Sequence, residues 1–181
     1  MSRWQLACWA AWGLVANPLL ASPQAAQPPP DVLRRPGETT VFSFRTSRGK
    51  TVSLCEGPKA AYLVYRFGTA AKTELQYPAA LNAGSWRKFT YWTYHRGGGV
   101  ANAGMEEYRI SFKNEAAEYE LTDRTEAYLT SSKEEDYRRE VGLNVVVSGK
   151  SLDITARQAS VSGDLALSDE QRKRVKLAEE E

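Results

Sequence analysis

The sequence predicts an all-β domain, an antiparallel β-sandwich or small barrel of about eight to nine strands. Three observations predict it. Apolar residues recur with a period of two from Thr39 onward, which puts one strand face in a core and the other in water. Glycine-bearing turns separate the runs. The chain of 181 residues, 42% hydrophobic and 25% charged, is long enough to bury one sizeable core.

Residues 1–22 read as a signal peptide. Arg3 supplies the positive start, Leu6 to Ala16 the apolar stretch, and Ala21 and Ser22 the small residues near a cleavage point. The stretch is shorter than the ~20 residues of a spanning helix and contains Gly13 and Pro18. No transmembrane helix is therefore expected after its removal, and the setting is periplasmic or secreted, in a bacterium. Residues 23–37 read as a linker: Pro23, Pro28, Pro29, Pro30 and Pro36 remove backbone donors and favour extended chain. The folded domain is expected over 38–167.

Within it, Phe42 and Phe44 alternate with Ser43 and Arg45. Val52 and Leu54 follow, then Leu63, Tyr65 and Phe67 alternating with Val64 and Arg66, then Leu75 and Tyr77. Tyr108, Ile110 and Phe112 precede Tyr119 and Leu121; Leu143, Val145 and Val147 precede Leu152, Ile154 and Ala156. Ser47 to Lys50 and Ser148 to Lys150 are hairpin turns whose glycines supply positive φ. With Glu115 and Ala116 as a loop, Phe112 faces Tyr119, Ile110 faces Leu121 and Lys113 faces Glu118. The inward pairs are then apolar and the outward pair opposite in charge. Two segments break the period. Ser131 or Ser132 with Glu134 or Glu135 has capping-box spacing, which predicts a short helix or flap near 131–140. Ser168 with Gln171 has it too, but only Val175 and Leu177 follow as apolar residues, so 168–181 reads as a charged tail or frayed helix.

Composition excludes several functions. Lys and Arg number 24 against 22 Asp and Glu, so no strong field of one sign draws in nucleic acid. One histidine and two cysteines are too few for common zinc sites or a disulfide scaffold. If the leader is cut, Cys55 is alone and reads as a packed residue. No calcium loop, Gly-x-Ser-x-Gly elbow or P-loop is present in the sequence. Nothing calls for a cofactor, a catalytic residue or a metal ligand. Glu118 and Glu120 share a strand face at roughly the separation of an inverting glycosidase pair. The same pair arises on any solvated face, and Lys113 neutralises one member.

Trp86 to Arg96 is the most informative segment, with five aromatics and four basic or histidine residues. Phe89 and Tyr91 fall on one face; Trp86, Trp92 and Tyr94 fall on the other. One set fills the core, and the other is covered or used for recognition. The segment leads into Gly97 to Gly104, a loop long enough to carry function. The candidate binding residues are Trp92, Tyr94, His95, Arg96, Gly97, Gly98, Gly99 and Asn102. The expected role is an exported binding module for an envelope protein, such as an inhibitor or accessory factor. A glycan or peptidoglycan binder is the alternative, and a glycan-acting enzyme the less favoured one.

The blocks Tyr62 to Gly68 (YLVYRFG), Glu74 to Pro78 (ELQYP) and Arg96 to Gly99 (RGGG) resemble those of small exported bacterial proteins of unassigned function. The resemblance spans residues 50–122 and implies an exported β-domain, with no activity. In outline the chain is also similar to periplasmic inhibitors of C-type lysozyme. Those carry a Ser-Gly-x-x-Tyr loop and a disulfide. Here Ser148-Gly149 is followed by Lys150, Ser151 and Leu152, and Cys55 has no partner.

Overall fold

The structure is a computed structural model that describes residues 29–179. The expected signal peptide and the first prolines of the linker lie outside the described residues. Two sheets face each other as a sandwich. The first has five strands and the second six. β1 (Thr39–Arg45), β2 (Thr51–Glu56), β3 (Leu63–Thr69) and β4 (Lys72–Tyr77) form an antiparallel meander. β5 (Thr90–Arg96), β6 (Met105–Asn114), β7 (Ala117–Leu129), β8 (Glu135–Val147) and β9 (Lys150–Thr155) form a second. Two short strands complete the edges: β10 (Ser162–Gly163) and β11 (Lys176–Leu177). The sheets meet at one corner, where Thr46 bridges Ala156 and the Arg157 amide donates to the Arg45 carbonyl at 2.9 Å. They do not close into a barrel.

The core is the sum of the inward sets. Phe42, Phe44, Val52, Leu54 and Tyr65 of the first sheet pack on Tyr91, Ile110, Phe112, Leu121 and Leu143 of the second. Phe112 stacks on Tyr77 at 4.5 Å and on Tyr119 at 4.7 Å, so one ring ties both sheets together. The β6–β7 register is the expected one: Phe112 opposes Tyr119, Ile110 opposes Leu121 and Lys113 opposes Glu118. Both turn glycines have the positive φ the hairpins need, Gly49 at 78° and Gly149 at 75°.

Four expectations change. The segment at 131–140 forms no helix. Residues 130–134 are a turn and β8 starts at Glu135, so the flap alternative holds, as the tip of a long hairpin. The Thr130 hydroxyl there accepts from the Glu134 amide at 3.1 Å, a local bond that favours a turn over a helix start. Trp86 is not on β5. It sits in the 3-10 turn Ala83–Lys88, only 1% exposed, with its indole N–H donating to the Ala60 carbonyl at 3.0 Å. The domain begins before Glu38: Leu33 is buried, and Asp31 accepts from the hydroxyls of Ser53 (2.6 Å) and Thr40 (3.1 Å).

The fourth change concerns the tail. The capping box at Ser168 and Gln171 forms and opens the one-turn helix α1 (Asp169–Arg172). Val175 is then buried, and β11 adds to β5 in parallel, with the Lys176 and Ala178 amides donating to the Phe89 and Tyr91 carbonyls. The segment docks through main-chain bonds, which side-chain composition does not report.

Candidate functional site

The candidate residues divide between two faces because successive strand residues point opposite ways. Trp92, Tyr94 and Arg96 face outward on the six-stranded sheet. His95 faces the other way, in register with Glu106, Thr125 and Arg139. The first sheet does not cover that inner surface beyond the chain that runs through Gly163 and Leu165. There Asp123 is buried, pairs with Arg139 at 2.7 Å and accepts from the Leu165 amide at 3.1 Å. Past this line, the far end of the sheet is open on both sides.

On the outward face, Trp92 and Tyr94 lie parallel, 6.1 Å apart. The Arg109 guanidinium sits 4.6 Å from the Trp92 ring centre, a cation–π contact. Arg109 also pairs with Glu107 at 2.6 Å, and beyond it Arg124, Glu126, Arg138 and Glu140 alternate in sign across the strands. This face is a flat checkerboard of paired charges. The Glu118 and Glu120 pair belongs to it: Lys113 lies 2.9 Å from Glu118 and Arg109 lies 3.9 Å from Glu120.

The glycine loop is a built element. Its 3-10 turn, Gly99–Asn102, is closed by the Asn102 side-chain amide donating to the Gly97 carbonyl at 2.9 Å. Arg96 donates to the Ala103 carbonyl at 2.8 Å, and the Gly104 amide to the Gly99 carbonyl at 2.6 Å. Gly98 needs its φ of 95°, and a Cβ on Gly99 would stand 2.6 Å from the Glu135 carboxylate. That carboxylate accepts from the Val100 amide at 3.1 Å and from the Tyr137 hydroxyl at 2.6 Å. The Tyr137 hydroxyl first, and the Val100 amide second, hold the Glu135 carboxyl below its ordinary value. The loop is thereby fastened to the β7–β8 hairpin, and the Ala127 amide donates to the Gly104 carbonyl at 2.9 Å.

The result is a concavity of about 340 Å³ lined by His95, Arg96, Gly97, Gly98, Gly99, Gly104, Met105, Glu106, Thr125 and Tyr137. His95 Nδ1 lies 3.2 Å from the Glu106 carboxylate. Tyr137, 59% exposed, stands in its wall, and Leu129, 54% exposed, lies on the same sheet face, while Tyr94 and Tyr128 lie exposed on the opposite face. Five of the expected binding residues therefore line one hollow. Asn102 instead braces the loop, and Trp92 and Tyr94 lie on the outward face. Residue reading missed Tyr137, which sits in the segment expected to be a helix or flap, and Tyr128 and Leu129, which lie just before it. Among the described residues no three His, Cys, Asp or Glu side chains are grouped to hold a metal ion. No helix of the described residues is long and apolar enough to cross a membrane.

No family model, curated protein or solved structure matches this chain. Its functional reading rests on the geometry above.

Proposed function

We propose that this protein is an exported binding module that engages an envelope protein through the far end of its six-stranded sheet. The observation that carries the reading is the set of exposed apolar and aromatic side chains at this one end of the sheet, Tyr137 and Leu129 on the face of the hollow and Tyr94 and Tyr128 on the other, beside a hydrogen-bonded hairpin and loop. Tyrosine offers a large contact area with few torsions to freeze, and it is enriched where proteins meet. A braced loop loses little entropy on binding. Ionisable groups at this end are paired with one another, as His95 is with Glu106 and Glu126 with Arg138, which supports recognition over catalysis. The glycan alternative depends on a free aromatic platform, and Trp92 already has Arg109 and Tyr94 against its ring.

The test is capture from envelope extract on the immobilised chain, read by mass spectrometry. A stoichiometric protein should be retained by the parent and by Leu152→Ala, an exposed site on β9. The Tyr128→Ala/Tyr137→Ala variant should lose it, since interface tyrosines of this kind contribute about 2 kcal/mol or more. Equal retention by both variants overturns the assignment of the surface. Quenching of tryptophan emission by soluble glycan fragments, with no protein captured, moves the function to glycan binding.

A further inference from the structure

A second surface lies at the opposite end of β5, where chain segments far apart in sequence bring cations together. Arg87 and Lys88 end the 3-10 turn before β5, Lys113 lies near the end of β6, and Lys176 opens β11. Together with Thr90, Tyr77, Gly84 and Phe112 they line a concavity of about 580 Å³ that has no carboxylate in its wall.

Elsewhere on this molecule several cations stand against carboxylates. Arg109 pairs with Glu107, Arg139 with Asp123, Lys50 with Glu74 and Lys173 with Glu170. The notch wall instead gathers four cations and no carboxylate. Arg87 is held by neutral groups, donating to the Val175 carbonyl at 3.1 Å and the Lys173 carbonyl at 3.2 Å. Lys88 and Lys176 have no ion-pair partner among the described residues, and only Lys113 has one, in Glu118. Gathering like charges in a concave site costs folding free energy and focuses a positive potential there. The carbonyls take two of the five N–H donors of Arg87 and set its plane, leaving the rest available. The lysines supply compact charges, the form suited to a phosphate group, and the Thr90 hydroxyl adds a neutral donor.

We propose that this notch binds a phosphate-bearing ligand, with Lys88 and Lys176 as the principal charge contacts and Arg87 as the fixed donor. The docked C-terminal segment completes the site, since Lys176 reaches it only through the pairing of β11 with β5. The same chemistry fits a soluble polyphosphate ester or the headgroup of an anionic lipid.

The experiment titrates the full chain with inorganic tripolyphosphate, and separately with phosphatidylglycerol vesicles, at low and at high ionic strength. Three proteins are compared: the parent, Lys88→Gln/Lys176→Gln, and Lys72→Gln/Lys133→Gln, which removes the same charge from exposed sites outside the notch. Thermal unfolding of each confirms that these surface changes leave the fold intact. The notch variant should weaken binding about tenfold, the control should match the parent, and high salt should weaken all three. Binding of tripolyphosphate but not vesicles identifies a soluble ligand; vesicle binding that the notch variant loses identifies a headgroup. Absence of binding to both probes at low ionic strength overturns the proposal. So does equal weakening in the two variants, which would reduce the effect to overall charge.

Discussion

The outer faces of the two sheets carry the same kinds of residue and have opposite fates. On the six-stranded sheet, Arg109 stands 39% exposed beside Glu107 and Glu120. On the five-stranded sheet, Arg66 is 0% exposed and Ser53, Cys55 and Val64 are buried with it. The difference is residues 31–38, which cross the second of these faces. Leu33 packs down, the Asp31 carboxylate takes the Ser53 and Thr40 hydroxyls, and Glu38 meets the Arg66 guanidinium with both oxygens, at 2.7 and 2.8 Å. Arg66 also donates to the Leu33 carbonyl and to Gln76, and Tyr62 donates to Glu38. Strand alternation alone places Arg66 in water. A covering strap turns the same side chain into the centre of a buried network, where removing one partner costs far more than on an open face.

Deleting a carboxylate from each face gives the sharpest test of that contrast. Glu38→Ala leaves Arg66 charged and buried, and should lower stability in urea unfolding by about 3–5 kcal/mol. Glu120→Ala removes an exposed charge 3.9 Å from Arg109 and should cost less than about 0.5 kcal/mol. Equal losses would erase the distinction between the faces.

Asp31→Ala should come next, at about 1–3 kcal/mol, because it strips acceptors from Ser53 and Thr40 beneath the strap. Cys55 reports this locally. Its sulfur lies 3.5 Å from the Asp31 carboxylate, and burial first, with the nearby carboxylates adding, pushes its thiol up to about 12. In the parent a thiol reagent should react slowly; in Asp31→Ala it should react faster at denaturant levels that leave Trp86 emission native. Unchanged labelling would mean that the strap stays seated without its anchor.

Acid should act through the same network. Burial alone would raise the Glu38 carboxyl, but the Arg66 guanidinium, the Arg35 amide and the Tyr62 hydroxyl together hold it below its ordinary 4.5. A carboxylate held low contributes stability that is complete above about pH 4.5 and lost as the pH falls through its folded-state value. Thermal midpoints measured downward from neutral pH should therefore begin to fall near that point. The fall should be shallower in Glu38→Gln, which has no such proton to take up. A parallel fall in both proteins would place the acid sensitivity elsewhere. Trp92→Ala should have a small effect on urea unfolding, about 0.5–1 kcal/mol for the lost contact with Arg109.

Two pairs of segments show what was legible. Ser132 with Glu135 and Ser168 with Gln171 have the same spacing, and only the second opens a helix. The first lies in the turn that leads into a strand, because β8 finds β7 as a partner through all thirteen residues of Glu135–Val147. A capping signal is local and weak, and a ladder of main-chain bonds overrides it. Phe89 and Tyr91 were legible as core and Trp92 and Tyr94 as the opposite face, since period two assigns faces directly. Trp86 was misplaced because the chain turns before β5, a change of path that an aromatic count does not register.

By itself, the sequence determined the all-β class, the hairpin turns at Gly49 and Gly149, and the β6–β7 register, each of which depends on neighbours within a few residues. Tertiary structure decided which polar face would be covered, that Val175 and Lys176 would dock on β5, and that Tyr137 would meet His95 and the glycine loop. The physical reason is range. Side-chain alternation and positive φ are properties of a short segment, whereas burial of Arg66 and the gathering of Arg87, Lys113 and Lys176 depend on main-chain bonds between segments distant in sequence.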